Sequence, residues 1–281
     1  MMIKEMGVVA TKLKAITPEQ REQFEQAGYL IVKEVFTKEE MKELDKNFMK
    51  MSNDVIPGCF EPDLDSSLVD GEHDPLKRYP RMMHPHRVND VAMRYMLHPK
   101  VMKILNDLFG EEALAAQSMF YFKPPRARGQ ALHQDNFYLK VEPGTCIAAW
   151  TAVDRADQEN GTLLVVPKTN NDDIYCPEKA DAKESFTTHY VKVPKGLKAE
   201  PAILDAGDVL FFNGNLIHGS YRNKTKDRFR KSFICHYAGE STTKIGSFYS
   251  PLFRENGSKV KPDTNQDSGP CGEVFDTEYP H

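Results

Sequence analysis

Three features are missing from this 281-residue sequence, and each absence argues against a class of protein. No apolar run approaches the roughly 18 residues of a transmembrane helix, and the N-terminal residues hold none long enough for a secretory signal. The five cysteines are odd in number and at least 30 residues apart, which argues against a disulfide framework or a zinc knuckle. We therefore expect a cytoplasmic protein in a reducing compartment.

Neither sign of charge dominates, since 37 basic and 41 acidic residues leave a formal charge of -4. Nothing in this balance draws the chain to nucleic acid or to an anionic membrane. Hydrophobic residues make up 40% and charged residues 28%, as in ordinary globular proteins with a core. We predict one domain that acts on a small molecule. These patterns leave its oligomeric state undetermined.

The first third of the chain carries signals for helices. Capping boxes begin at Thr17 and Thr37, and a third helix is predicted from about Pro99 to Gly110. The run at 29–36, rich in β-branched and aromatic residues, predicts a strand. Many prolines and glycines predict a long irregular segment over 54–90. We expect 15–112 to be mainly helical with this loop.

Short apolar or alternating runs, separated by turn residues, follow Glu112. Such regular short strands are typical of a β-sandwich or barrel, so we predict the core of the domain over 113–245. The polar residues 246–281, rich in glycine and proline, are expected to form a loose tail or a lid.

A pattern typical of metal ligands occurs at His133 and Asp135. If they lie in one strand, their side chains share a face about 7 Å apart along the chain. His218 follows another strand-like run and offers a third ligand. Two histidines and one carboxylate leave three metal positions open, as in non-haem iron(II) oxygenases, whereas a structural zinc site closes all four. Taken alone, the short motif also fits a barrel histidine beside a turn aspartate.

A cosubstrate with a distal carboxylate needs a fixed cation, for which the planar fork of arginine is well suited. Arg230 follows His218 by 12 residues, on the next predicted strand. It could equally be a surface arginine, and Arg228 would share its strand face. His236, further along, is expected to be an ordinary strand histidine whose loss leaves a metal site intact.

Several ordered motifs between Met119 and Tyr237 resemble the phytanoyl-CoA dioxygenase family of iron(II)/2-oxoglutarate oxygenases. The matching pieces are Lys123-Pro124-Pro125, His133-Gln134-Asp135, Ala149-Trp150-Thr151-Ala152, Asn160-Gly161-Thr162-Leu163, Gly207-Asp208-Val209-Leu210-Phe211-Phe212, Leu216-Ile217-His218-Gly219-Ser220, Asn223-Lys224-Thr225 and Phe229-Arg230-Lys231. One departure is Pro167-Lys168-Thr169-Asn170, where family members often have a histidine that is not a metal ligand.

The resemblance implies a double-stranded β-helix, a cupin-like jelly-roll barrel, with N-terminal helices. It implies iron(II) as cofactor, 2-oxoglutarate as cosubstrate and O₂ as oxidant. It assigns the metal-ligand and catalytic roles to His133, Asp135 and His218. Contacts to 2-oxoglutarate are implied for Arg230, Ser220 and Trp150, and for Gln117 by similarity to the ectoine-hydroxylase branch.

The resemblance predicts hydroxylation of an unactivated C–H bond in a small metabolite, with release of succinate and CO₂. Oxidative cyclisation, desaturation and endoperoxide formation are alternatives on the same fold. A non-catalytic cupin-like metal-binding protein, or a metal-dependent isomerase, is an alternative of another class.

A basic segment, residues 78–87, contains three arginines and two histidines. It is interpreted either as a rim that binds an anionic substrate group or as a solvated loop. A second metal at the two histidines lacks a nearby carboxylate. Two aromatic residues are further pocket candidates, though aromatics at strand spacing are more often core. The candidate substrate-binding residues are Arg81, His84, His86, Arg87, Tyr121 and Phe137.

Overall fold

Two capping boxes begin the first helices of the computed structural model, which describes residues 15–61, 76, 79–265 and 270–272. Helix α1 (Pro18–Ala27) starts after Thr17, whose side chain accepts a hydrogen bond from the Gln20 amide, and ends at Gly28 with φ 83°. Helix α2 (Lys38–Met51) starts in the same way after Thr37. Both predicted helices are confirmed. The strand between them, β1 (Tyr29–Val32), is shorter than the predicted run.

The remaining elements follow in chain order. The helices are α3 (Asp90–Met96), α4 (Pro99–Phe109) and the one-turn α5 (Asn136–Leu139). The strands are β2 (Arg81–Met83), β3 (Ala113–Tyr121), β4 (Gln130–His133), β5 (Ile147–Ala152), β6 (Leu163–Val165), β7 (Glu178–Lys179), β8 (His189–Tyr190), β9 (Glu200–Pro201), β10 (Val209–Asn213), β11 (His218–Ser220), β12 (Ser232–Gly239), β13 (Lys244–Gly246), β14 (Leu252–Phe253), β15 (Lys259–Val260) and β16 (Asp263–Asn265).

Two antiparallel sheets form the jelly roll that was expected. The larger sheet has the order β1-β10-β5-β12-β3-β14-β15, with β2 also paired to β3. The smaller sheet has the order β4-β11-β6-β9. Strand pairing does not close the two sheets into a continuous barrel. Apolar residues of both sheets, including Trp150, Phe212 and Val165, form one buried cluster between them.

A second buried cluster lies between the larger sheet and the helices. Phe48 of α2 stacks on Phe120 of β3 with ring centroids 4.0 Å apart. Successive strand residues alternate between the two clusters, since Phe211 belongs to the helix side and Phe212 to the space between the sheets. The helices therefore pack on the outer face of the larger sheet, and its inner face is available to form a functional site.

Two expectations for the loop at 54–90 are corrected by the structure. Its C-terminal part is ordered, because β2 pairs with β3 and a 3-10 turn follows at Pro85–Arg87. The side chains of Arg81, His84 and His86 are buried, so this part is not a solvated loop. Arg78, the remaining arginine of the basic segment, lies outside the described residues. Helix α3 was missed, although Asn89 caps it by accepting from the Ala92 amide.

The C-terminal expectation is also wrong where the chain is described. Residues 246–265 are held by short strands: β16 pairs with β13, and β14 pairs with β3. The side chain of Leu252 is completely buried, so this stretch is not loose.

The cysteine spacing misled the sequence prediction. A disulfide joins Cys176 to Cys271, 95 residues apart, whereas Cys59, Cys146 and Cys235 are free and buried. Folding can bring together cysteines that are distant in sequence, so spacing alone could not exclude this bond.

Among the described helices, none has both the length and the apolar character to cross a membrane.

Candidate metal centre and active site

Three side chains from two neighbouring strands and a turn meet between the sheets. His133 ends β4, His218 begins β11, and the two are direct partners across the antiparallel pair. Asp135 Oδ1 lies 3.5 Å from Nε2 of His133 and 3.5 Å from Nε2 of His218. One ligand atom from each of the three residues lies within 4.8 Å of the other two, and all three residues are buried.

The backbone at Asp135 differs from the expectation. Strand β4 ends at His133, and Asp135 has helical angles, φ -63° and ψ -37°. The shared strand face predicted for the pair is therefore wrong. The turn into α5 brings the carboxylate towards the imidazoles. The sequence spacing therefore identified residues that lie together, although the strand geometry assumed for them is wrong.

Backbone carbonyls fix the orientation of both imidazoles. Nδ1 of His133 lies 2.8 Å from the Ala131 carbonyl oxygen, and Nδ1 of His218 lies 2.9 Å from that of Leu216. A carbonyl only accepts, so each Nδ1 carries the hydrogen and each Nε2 keeps a lone pair. The side-chain amide nitrogen of Gln130 donates to Nε2 of His133 at 3.2 Å, which is consistent with this assignment.

The charges suit a divalent cation. Burial alone would raise the pKa of Asp135, but the neighbouring histidines, first His218 and then His236, hold it well below its usual range. Burial lowers the pKa of His133, whereas for His218 the Asp135 carboxylate outweighs burial and raises the pKa. An ionised carboxylate and imidazoles that present lone pairs are the forms that bind metal. Two nitrogens and one carboxylate oxygen fit iron(II) in an open site.

Arg230 lies on the wall of the cavity that contains the three ligands. Its guanidinium carbon is 5.2 Å from the ring centroid of Trp150. Nε donates to the Gly161 carbonyl at 3.1 Å and Nη1 to Ser232 Oγ at 2.7 Å. Burial lowers the pKa of Arg230 to about 10, so the side chain is still cationic at neutral pH.

Arg228, the alternative to Arg230, forms an ion pair outside the cavity. Its side chain is 38% exposed and binds Asp157 through two hydrogen bonds of 2.8 and 3.0 Å. Both arginines precede β12, which starts at Ser232, so the strand alternation used to compare them does not apply. The structure brings Arg230, and not Arg228, to the metal ligands.

Lys123 is a residue that sequence reasoning missed. Its side chain is buried, and Nζ donates to Ser220 Oγ at 2.8 Å. Burial, and then the charge of Arg230, lower the pKa of Lys123 well below its usual value. Gly161 has φ 83°, and a Cβ there would lie 2.7 Å from Cε of Lys123, so only glycine leaves room. The available signal was the Lys-Pro-Pro motif.

Within the described part of the chain, neither Lys123 nor Arg230 has a carboxylate within ion-pair distance. A buried guanidinium such as that of Arg230 is costly unless an anion compensates it, and burial beside Arg230 disfavours the charged form of Lys123 for the same reason. This corner of the cavity therefore has the electrostatics of an anion site. Ser220 lies in this corner, and its Oγ accepts hydrogen bonds from Nζ of Lys123 and from the backbone N–H of Gln130.

Of the residues implied to contact 2-oxoglutarate, Arg230, Ser220 and Trp150 line the cavity with the three ligands. Gln117 does not line it. Gln117 is fully buried on β3, directly opposite His236 on β12.

The candidate substrate residues separate into two groups. Tyr121 lines the cavity, and Arg81 donates to its hydroxyl at 3.3 Å. Arg87 is on the surface, where its guanidinium donates to the Phe248 carbonyl at 2.8 Å. Phe137 packs in an apolar cluster around α5 and is not part of the cavity wall, contrary to the expectation.

The two histidines of the basic segment do not form a cationic rim. His86 is buried, its Nδ1 lies 2.7 Å from Ser118 Oγ, and burial lowers its pKa to about 3, so it is neutral. The ring of His84 is also buried and packs against Phe248, with centroids 4.5 Å apart. His86 therefore adds no positive charge to the basic segment.

Comparison with known proteins gives one family. The model of the phytanoyl-CoA dioxygenase (PhyH) family matches residues 24–232. The mouse peroxisomal phytanoyl-CoA dioxygenase is 28% identical over 232 residues, 79% of this chain and 68% of that protein. A probable phytanoyl-CoA dioxygenase of Caenorhabditis elegans is 27% identical over 238 residues, 80% of this chain and 76% of that protein.

Solved structures share the fold. EctD from S. alaskensis, crystallised with 2-oxoglutarate and 5-hydroxyectoine, has a TM-score of 0.62 and 20% identity over 94% of this chain and 86% of that chain. The epimerase SnoN, in complex with Fe3+, alpha ketoglutarate and nogalamycin RO, has a TM-score of 0.61 and 19% identity, covering 80% and 84%. The carbocyclase SnoK from nogalamycin biosynthesis has a TM-score of 0.61 and 16% identity, covering 95% and 96%.

Proposed function

The chain belongs to the phytanoyl-CoA dioxygenase family of non-haem iron(II)/2-oxoglutarate oxygenases, and on this premise we propose that it hydroxylates an unactivated C–H bond of a small anionic metabolite. The reaction would consume 2-oxoglutarate and O₂ and release succinate and CO₂. The observation that carries the proposal is one cavity in which three buried metal-ligand side chains lie with Ser220 and with Arg230, a buried cation that has no carboxylate ion-pair partner among the described residues.

Each group in the cavity has a proposed task. His133, Asp135 and His218 would hold iron(II), which supplies the oxidising chemistry once cosubstrate and O₂ are present. Arg230 and Lys123 would bind the C5 carboxylate of 2-oxoglutarate, because charge-assisted hydrogen bonds are strong in a buried site. A non-catalytic metal-binding protein has no use for this anion site, which disfavours that alternative.

The proposal is tested by succinate formation. Purified protein, iron(II), ascorbate and 2-oxoglutarate are incubated with members of a panel of small anionic metabolites. We expect basal succinate release that at least one metabolite stimulates. Absence of succinate under all conditions, with iron bound, would contradict the proposal.

Product analysis decides between hydroxylation and the other oxidations. The carbocyclase SnoK and the epimerase SnoN have this fold, so the fold permits reactions other than hydroxylation. Hydroxylation adds one oxygen atom to the substrate, whereas desaturation or cyclisation removes two hydrogens. Mass spectrometry of the product distinguishes them.

An anionic substrate is proposed because a series of polar side-chain contacts connects an arginine of the basic segment to the metal ligands. Arg81 donates to the Tyr121 hydroxyl, which lies 3.5 Å from the Gln130 amide oxygen, and the Gln130 nitrogen lies 3.2 Å from His133 Nε2. Arg81 would bind the substrate anion together with the Tyr121 hydroxyl, which lies on the cavity wall.

Replacing Arg81 by glutamine is expected to raise the KM for the substrate roughly 10- to 100-fold, because a hydrogen bond to a charged group contributes about 1.5–3 kcal/mol. The KM for 2-oxoglutarate should hardly change. Steady-state kinetics with each compound varied measures this. The matched control is Arg94→Gln, since Arg94 is paired with Glu43 on the surface. An increase confined to the KM for 2-oxoglutarate would reassign Arg81 to the cosubstrate.

Replacing Lys123 by methionine is expected to weaken 2-oxoglutarate binding roughly 10- to 100-fold by the same reasoning. The ligand-free protein should become more stable, because a buried amine whose charged form is disfavoured beside Arg230 is removed. Isothermal titration and thermal unfolding measure the two effects. Loss of stability together with unchanged affinity would show that Lys123 only packs.

A further inference from the structure

The two carboxylate oxygens of Asp135 have different partners. Oδ1 lies 3.5 Å from both histidine ligands. Oδ2 lies 2.9 Å from Nε2 of His236, a residue outside the three ligands. Since an ionised carboxylate only accepts, Nε2 of His236 carries the hydrogen and donates it.

His236 is held firmly in this orientation. It lies on β12 in the middle of the larger sheet, opposite Gln117 of β3 and Ala148 of β5, and is completely buried. In the described part of the chain, its Nδ1 has no hydrogen-bond partner, so the Asp135 carboxylate is the ring's one polar contact there. A histidine that merely filled the core would not need this contact.

We propose that His236 is a positioning residue that restricts Asp135 to binding the metal through a single oxygen, an inference that rests on the proposed function. The His236 N–H occupies Oδ2 and leaves Oδ1 directed at the imidazoles. Carboxylates also bind cations through both oxygens, and Asp135 would then occupy a second metal position. His236 therefore keeps three positions available for the bidentate cosubstrate and O₂.

His236 lies in a strand, as expected, but it also contacts a metal-ligand residue, so we expect its loss to affect the metal site. Partners that orient a metal ligand typically change metal affinity or activity by 10- to 100-fold when they are lost. Loss of the His236 hydrogen bond should affect iron(II) binding and, more specifically, the binding of 2-oxoglutarate to the iron-loaded protein.

Three variants separate this role from packing. Glutamine at position 236 places an amide nitrogen at about the reach of Nε2, whereas asparagine is polar but too short, and alanine removes the side chain. We expect His236→Ala and His236→Asn to lower iron(II) affinity about 10- to 100-fold, with a further loss of 2-oxoglutarate affinity. His236→Gln should recover most of both. His98→Ala, at a histidine that packs on Phe36 far from the ligands, is the control.

Anaerobic titrations provide the readout without turnover. The sole tryptophan of the chain, Trp150, lines the cavity, so its fluorescence reports iron(II) and 2-oxoglutarate binding there. Equal iron(II) and 2-oxoglutarate affinities in wild type, His236→Asn and His236→Gln would overturn the inference, whatever their thermal stability. Failure of the wild-type protein itself to bind iron(II) would instead overturn the proposed function.

Discussion

Replacing Asp135 by alanine is expected to weaken iron(II) binding roughly 100-fold to several thousand-fold and to eliminate succinate formation. Asp135 supplies the one negative charge among the three ligands, and its carboxylate lies within 3.5 Å of both imidazoles. Removing one partner from a buried charged arrangement costs about 3–5 kcal/mol, which corresponds to that range at about 1.4 kcal/mol per decade. Anaerobic iron(II) titration and metal analysis of the purified variant measure the loss.

His133→Ala and His218→Ala should lose iron(II) and turnover in the same way, because each removes one nitrogen donor. Asp205→Ala is the matched carboxylate control, since Asp205 is exposed and pairs with Arg155 on the surface. Full iron content and wild-type succinate release in Asp135→Ala would show that the metal, if any, is held elsewhere.

Local chemistry made the N-terminal helices predictable. Thr17 and Thr37 satisfy the first free amides of α1 and α2, and Gly28 allows the left-handed turn that ends α1. These signals act within four residues, so they can be read without the rest of the chain. Strand β2 was missed because it is stabilised by pairing with β3, 36 to 40 residues further on. Its own residues carry no strand signal.

The candidate site was predictable to the extent that its residues form short motifs. His133 and Asp135 are two residues apart, and His218 follows a strand-like run in a motif that also matches the family. The structure adds what spacing cannot give: β4 and β11 are neighbours in one sheet, so His133 and His218 become direct partners. Their proximity depends on the register of two strands that are far apart in sequence.

The roles of Lys123 and His236 were not predicted from the sequence, for a different reason. A lysine in a sequence is most often exposed, and a histidine in a strand has many structural uses. Burial of Lys123 beside Arg230, and the contact of His236 with Asp135, appear only when three segments of chain are packed together. Functional groups of this kind are recognised by their unusual electrostatics in the folded state rather than by residue type.

Replacing Arg230 by alanine is expected to weaken 2-oxoglutarate binding roughly 30-fold to several thousand-fold, because truncating one partner of a buried charge pair costs about 2–5 kcal/mol. Trp150 and Gly161 hold the guanidinium in place before the ligand arrives, so little ordering is required on binding. Iron(II) content should hardly change, since Arg230 is not among the three metal-ligand residues. Arg230→Lys should restore binding only in part, because a point charge does not reproduce the planar fork.

Arg228→Ala is the matched control for this prediction. Its guanidinium is bound to Asp157 and Glu159 at the surface, outside the site. Since an exposed ion pair contributes at most about 1 kcal/mol, its loss should leave 2-oxoglutarate affinity within about 5-fold. Titration of 2-oxoglutarate into the anaerobic iron(II) protein, followed through its metal-to-ligand charge-transfer band, compares the variants directly. Unchanged affinity in Arg230→Ala with a large loss in Arg228→Ala would reverse the assignment. Unchanged affinity in both would place the cosubstrate carboxylate on Lys123 and Ser220 alone.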